Sequence, residues 1–389
     1  MIPTIAWTIW LLGTLALGLA AGSFLNVAAV RLPYEKSVIW PSSRCGNCLK
    51  GLPWHSNLPI IGYIWLRGRC YWCGEVFSIR YLLVELLVGF GFVGLFLLEV
   101  VFDIRNAGWW RDHGHMMHWG IVPWQAWAAW SAEAVFFAFL MAASLCDFEH
   151  HEIPLDITIT GLIVGLLFSI AMPWPFPAQP NDVENAVARH KIEHSALYRP
   201  GRTVPGGALA EPVFAFPGMH PWPVAWPLPP WLVPGTATYG LVSGLLGAMA
   251  GSLVCRGIRS VYGLGRGRES LGIGDSDLLL MAGAFTGWQV VVVGFFMSII
   301  PGLILGIGYL AIRGSQTLPF GPALGLGVFV TWMGWRWIGP SVADVLFDPW
   351  ILGFLAIAGL GGLLTMSWML RVVRGPDEND DQSPVVRVD

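Results

Sequence analysis

Long apolar runs broken by short polar stretches recur along the chain, near residues 5–30, 81–101, 125–146, 155–172, 237–255, 277–289, 290–312, 319–338 and 350–370. About 20 apolar residues suffice to cross a bilayer as a helix. In lipid every backbone N–H and C=O must be satisfied internally, so each run predicts a helix. The expected fold class is all-α, a polytopic transmembrane helical bundle of eight or nine spans. The pair 277–289 and 290–312 is the tightest. At about 1.5 Å per residue it is barely long enough for two crossings, or for one crossing plus a re-entrant piece. The first run has no basic residue before it and Arg31 after it, which favours a retained span over a cleaved signal peptide.

The breaks between runs divide the chain. Residues 1–30 are a first span, 31–80 a polar loop, 81–172 and 237–338 groups of spans, and 339–370 an extra last span. Residues 173–236 form a Pro- and Trp-rich loop, and 371–389 an acidic tail expected to be disordered. No internal repeat is evident. Composition supports the bilayer reading: 55% of residues are hydrophobic and 12% charged, against roughly 25% charged in soluble domains. Several of the 22 Trp sit near run ends, among them Trp7, Trp10, Trp109, Trp119, Trp124 and Trp350, as in an interfacial aromatic belt. A net charge of −3 argues against nucleic acid as a partner and leaves membrane lipid as the surroundings. With the N-terminus outside and nine crossings, fifteen of the 22 Lys and Arg fall inside and seven outside, which satisfies the positive-inside rule. That orientation puts the loop 31–80 in the cytoplasm and 173–236 outside.

The first loop carries Cys45-Gly-Asn-Cys48 and Cys70-Tyr-Trp-Cys73, a C-x2-C-x21-C-x2-C pattern. Two such knuckles can aim four thiolates at one point, the geometry that tetrahedral Zn²⁺ takes. With four protein ligands no position stays open, so the site is expected to be structural, a small cytoplasmic zinc-binding loop. Disulfides are the alternative, disfavoured by a reducing compartment. Cys146 and Cys255 stand alone at run ends and read as small packed hydrophobes.

Asp147 ends the third run and Asp275 begins the sixth. Carboxylates at the edge of hydrocarbon are costly and usually face a polar cavity with a task. Both fall on the inside face, so the two segments can bring them together. Gly272 and Gly274 allow close approach beside Asp275. Two facing carboxylates share a proton, one serving as base toward water and the other as acid toward a carbonyl oxygen. Asp147 is expected at a helix C-terminus and Asp275 at a helix N-terminus, so the macrodipole predicts that the resting proton sits more often on Asp147. Nearby, Asp156 reads as a capping or orienting residue and Asp277 as a supporting group. Glu149, His150, His151 and Glu152 read as a solvated turn.

These segments together resemble the type IV prepilin peptidases, a family of membrane aspartic peptidases. Gly22-Ser-Phe-Leu-Asn-Val27 with Arg31-Leu-Pro33 resembles the family's opening motif. Pro41-Ser-Ser-Arg-Cys45, Leu66-Arg-Gly-Arg-Cys70 and Ser78-Ile-Arg-Tyr81 through Glu85 resemble its cysteine-loop signature. The Asp147-to-Pro154 spacing and Gly272-Ile-Gly-Asp275 (GxGD) resemble its two catalytic segments, and Ala282–Trp288 and Leu318–Pro322 are also similar. The resemblance covers about 22–170 and 240–325. It implies cytoplasmic-side cleavage of prepilin or pseudopilin leaders at the bacterial inner membrane, with Asp147 and Asp275 catalytic and Cys45, Cys48, Cys70 and Cys73 holding zinc. In bifunctional members it also implies N-methylation from S-adenosylmethionine. No nucleotide-type glycine loop is visible, so cofactor-binding residues stay unassigned. Leu155 stands where the family often has Asp or Asn. Asp277 stands where it often has Lys, a charge reversal that leaves the local ion pairing open. Rival readings are a carboxylate-bearing transporter, which predicts acids deep within several spans, and a non-catalytic membrane scaffold.

Overall fold

The computed structural model describes residues 2–105, 107–174, 176, 219–225, 229–267, 272–313 and 319–374. Most of the 173–236 loop and nearly all of the acidic tail therefore lie outside the described residues. In chain order the helices are α1 (Ile2–Arg31), α2 (Ile61–Trp65), α3 (Arg80–Phe96), α4 (Trp109–Met117), α5 (Trp124–His150), α6 (Leu155–Ala171) and α7 (Ala237–Arg266). They continue as α8 (Ile273–Thr286), α9 (Trp288–Met297), α10 (Ile299–Arg313), α11 (Gly321–Met333), α12 (Trp335–Leu346) and α13 (Pro349–Arg374). No strand occurs among the described residues, so the all-α expectation holds.

Among the described residues, six stretches are long and apolar enough to cross a membrane: Ile5–Tyr34, Arg80–Val101, Trp124–His150, Ala237–Arg266, Trp288–Gly308 and Pro349–Val373. Leu155–Ala171 and Gly321–Met333 are shorter apolar helices, so the count differs slightly from eight or nine. The difference lies in two places. The expected span 277–289 is α8, 14 residues long and about 21 Å at 1.5 Å per residue. It stops at Gly287, whose φ of 82° lies in the left-handed region open to glycine. The expected span 319–338 is broken at Gly334 into α11 and α12.

The bundle assembles around aromatic contacts that fix three helices to one another. Phe136 of α5 stacks on Phe285 of α8 at 4.8 Å and meets Trp332 of α11 edge-on at 5.2 Å. All three rings are fully buried, and truncating such a ring to Ala typically costs about 3–5 kcal/mol. Glycine does the equivalent work between α7 and α8. A Cβ at Gly247 would lie 2.0 Å from the Gly283 carbonyl oxygen, and one at Gly283 2.0 Å from that of Gly247. Small residues let membrane helices touch backbone to backbone in this way. α1 packs along α3, and outward-facing apolar side chains such as Leu12, Phe90, Leu303 and Ile357 are exposed, as lipid-facing positions require.

Two features depart from the sequence reading. Acids lie within the bundle as well as at its edges: Glu99 and Glu133, which the sequence reading did not single out, are completely buried. Arg105 donates to Glu133 Oε1 at 2.9 Å and lies 4.8 Å over the Trp332 ring, while Trp109 Nε1 donates to Glu99 Oε1 at 3.3 Å. In addition, the described part of the 173–236 segment is not an outlying loop. Met219, His220, Trp222 and Val224 are buried. Trp332 Nε1 donates to the Met219 carbonyl at 3.2 Å and Gln289 Nε2 to that of Pro223 at 2.7 Å. The indole and amide donors of the spans supply partners for backbone that proline-rich sequence leaves unpaired. The segment thereby closes the end of the bundle remote from the cysteine loop.

Candidate active site and thiol cluster

Asp147 lies in the last turn of α5, just before His151 ends that helix with a left-handed φ of 54°. Pro154 then supplies the N-cap of α6, since a proline cannot continue a preceding helix. Asp275 is the third residue of α8, where its Oδ2 accepts the Gly272 N–H at 3.2 Å. The fold brings the two together: both are 8% exposed at the same end of the bundle, and they interact electrostatically. Asp147 Oδ2 also accepts the Gly321 N–H at 2.7 Å, the first amide of α11. In each aspartate a backbone amide holds Oδ2, while Oδ1 has no hydrogen bond among the described residues. Among the described residues, both Oδ1 atoms are left for a water or a substrate carbonyl.

Gly321, which bonds Asp147, is the residue at this candidate site that sequence reasoning missed. The stretch Leu318–Pro322 drew notice only as similar sequence, with no task attached. A Cβ at position 321 would sit 2.7 Å from Asp147 Oδ2 and 3.1 Å from its Cγ, so only glycine brings the amide this close. Its presence also removes the premise of the macrodipole expectation. Asp147 ends its own helix but faces the N-terminus of another, so both carboxylates see the positive end of a helix.

The supporting residues divide. Gly272 N–H caps Asp275. Gly274 makes room for protein rather than substrate, because a Cβ there would meet Ile153 Cβ at 3.1 Å. That contact packs the α5–α6 turn against α8. Asp277 answers the open question of its reversed charge. Arg256 of α7 places NH2 3.1 Å from Asp277 Oδ1 and donates through Nε to Ser276 Oγ at 2.9 Å. A cation thus reaches the site from the neighbouring helix instead of from position 277. Asp156 is exposed in the first turn of α6. Glu149 is not simply solvated, because it forms an ion pair with Arg80 that ties the start of α3 to the end of α5.

The four loop cysteines converge with all sulfurs within 4.8 Å of one another. Cys45 and Cys73 sulfurs are 3.7 Å apart and those of Cys48 and Cys70 4.0 Å. These are too long for disulfides and match the edge of a tetrahedron with Zn–S bonds of about 2.3 Å. Each knuckle has the same turn. Cys45 N–H bonds the Lys50 carbonyl and Leu49 N–H that of Cys45. Cys70 N–H bonds the Glu75 carbonyl and Gly74 N–H that of Cys70. Arg44 pairs with Gly51 as Arg69 pairs with Val76, so a short internal repeat exists where none was read. The Cys73 amide, aimed at the Cys70 sulfur, holds that thiol down at about 7. Although the Glu75 amide opposes it, desolvation with the crowding thiols pushes Cys73 up to about 12. A cation at the centre would relieve that crowding by taking thiolates. Cys146 and Cys255 are buried and unpaired, as expected.

A helical membrane bundle with a four-thiol loop defines the class first. Residues 16–98 match the family model described as Bacterial Peptidase A24 N-terminal domain. Similarity to whole proteins then extends across the chain. The prepilin leader peptidase/N-methyltransferase of Myxococcus xanthus (strain DK1622) is 26% identical over 397 residues, covering 92% of this chain and 90% of that protein. Proteins of the same description from Pseudomonas putida (26%, over 81% of this chain and 87% of theirs) and Dickeya chrysanthemi (27%, over 81% and 89%) are also similar. The chain is thus similar, over most of its length, to several proteins described as prepilin leader peptidase/N-methyltransferase, and the resemblance read from its motifs is borne out. No solved structure matches it.

Proposed function

We propose that the chain is a multi-pass inner-membrane aspartic endopeptidase that removes the leader of prepilins or pseudopilins on the cytoplasmic side and N-methylates the new N-terminus. Asp147 and Asp275 form the catalytic pair. The observation that carries this is the meeting of two buried carboxylates, each with one oxygen held by a backbone amide and the other without a hydrogen bond among the described residues. Burial beside a like charge keeps the two from ionising together, so one holds a proton. The ionised partner takes a proton from water, which attacks the scissile carbonyl carbon. The protonated partner donates to the carbonyl oxygen as the tetrahedral species forms. The Gly272 and Gly321 amides hold both side chains while the proton moves. The four cysteines hold zinc with no open position, a structural site that orders the 31–80 loop.

The test is co-expression with a prepilin in cells lacking their own processing enzyme, with the substrate N-terminus read by mass spectrometry. A shortened, methylated N-terminus is expected. An unprocessed prepilin beside a well-expressed, folded chain would refute the peptidase reading.

A further inference from the structure

The last turn of α5 carries Asp147, and its neighbours hold it from opposite sides. Successive helix residues are about 100° apart, so Asp147 and Glu149 point about 200° apart around α5. Asp147 reaches the Gly321 amide on α11, while Glu149 pairs with Arg80 at the start of α3. The second contact is unusual in kind. Arg80 is the first residue of α3 and Glu149 the last but one of α5. A cation at a helix N-terminus and an anion at a helix C-terminus are each disfavoured by the macrodipole. Neither charge therefore serves its own helix, and each is accounted for by the other. Residues that break a local rule in this way are expected where function requires them.

Arg80 stands on a firm mount. Its N–H donates to Ser78 Oγ at 3.2 Å, and the next carbonyl, that of Tyr81, accepts from Asn26 Nδ2 of α1 at 3.0 Å. Just before it, Phe77 N–H donates to the Gly68 carbonyl at 2.7 Å, so the second cysteine knuckle runs straight into α3. Arg80 Nε is buried without a hydrogen bond, and Glu149 is the one carboxylate paired with this guanidinium among the described residues. Tyr34, at the other end of the same loop, meets His150 edge-on at 5.4 Å and adds a second tie to the turn.

We infer that Arg80 and Glu149 are positioning residues for the peptidase reaction: their ion pair sets the rotation of the α5 terminus and thereby the aim of Asp147 toward Asp275. The inference rests on the aspartate pair of the proposed function and deepens it, adding a mechanical link from the four-cysteine loop to the site. Stability is not the reason for the pair. The two side chains are 35% and 15% exposed, and ion pairs open to water add little to folding. Geometry is another matter, because displacing a reacting group by about 1 Å can cost about a hundredfold in rate.

The experiment uses the full chain in detergent with a purified prepilin, and follows cleavage by mass spectrometry alongside thermal melting. Arg80→Ala and Glu149→Ala should each lower kcat about tenfold through partial misplacement, with KM and melting temperature nearly unchanged. Arg80→Lys keeps the charge and should recover part of the rate. The decisive variant exchanges the charges, Arg80→Glu with Glu149→Arg. It restores the pair and puts each charge at the helix end that favours it. It should therefore melt no lower than the unaltered protein and cleave faster than either single change, Arg80→Glu or Glu149→Arg. That variant carries the test even if an alanine variant melts early. Ordinary kcat in both alanine variants, a loss that merely follows the folded fraction, or an exchanged pair no faster than the single changes overturns the inference and leaves the peptidase reading intact. An unaltered chain that shortens no prepilin sinks that reading and this inference with it.

Discussion

Two groups of buried carboxylates occupy this bundle, and they are built differently. Asp147 and Asp275 sit at helix ends, 8% exposed, each bonded through one oxygen to a backbone amide. Glu99 and Glu133 sit fully buried, with Arg105 and Trp109 as partners and one oxygen of each carboxylate unbonded. If the aspartates act as proposed, burial alone does not mark chemistry in this bundle. A working carboxylate needs a neutral holder that survives loss or gain of a proton, and contact with water. A structural one can be sealed behind a permanent cation, where removing a partner strands a charge.

The sharpest way to break this contrast is to neutralise each class in turn. Asp147→Asn or Asp275→Asn should lower prepilin cleavage by roughly two to four orders of magnitude with near-normal expression and melting. Processing at the ordinary rate by either variant would sink the pair. Arg105→Ala should do the converse, destabilising the fold by about 3–5 kcal/mol in a detergent melt while cleavage per folded molecule stays unchanged. A stable Arg105→Ala protein that has lost cleavage would erase the distinction between the groups. Gly321→Ala tests the holder itself. Its methyl group meets Asp147 Oδ2, so cleavage should fall roughly tenfold to a hundredfold from misplacement of one carboxylate, with little change in melting temperature. The smallest effect belongs to Arg256→Ala. Arg256 is 57% exposed, and such pairs contribute about 0.2–1 kcal/mol, diminishing with salt. A large stability loss there would mean that Asp277 belongs with the sealed group.

The sequence made legible what is local or strongly periodic. Apolar runs gave helices, knuckle spacing gave the thiol cluster, and aspartates at run ends gave a pair that the fold brings into range. What escaped depends on contacts between remote segments. Nothing near Asp147 announces that Gly321 caps it, and nothing near Asp277 announces Arg256. Glu99 and Glu133 passed as ordinary members of apolar runs because their partner Arg105 lies in a connecting segment. The helix count slipped where glycines at 287 and 334 break otherwise continuous apolar sequence. The similarity of the two knuckles was hidden because backbone turns repeat there while side chains, apart from Arg-Cys and Cys, do not.

The bond between Asp147 and Gly321 joins residues 174 positions apart, and this bears on when the protein can act. A chain still emerging from the ribosome can hold both aspartates in the bilayer, yet it lacks the amide that steadies the first until α11 has been inserted. On the proposed reading, maturation of the site is tied to near-complete synthesis, and truncations ending before α11 should leave a membrane-inserted product that does not cleave prepilin.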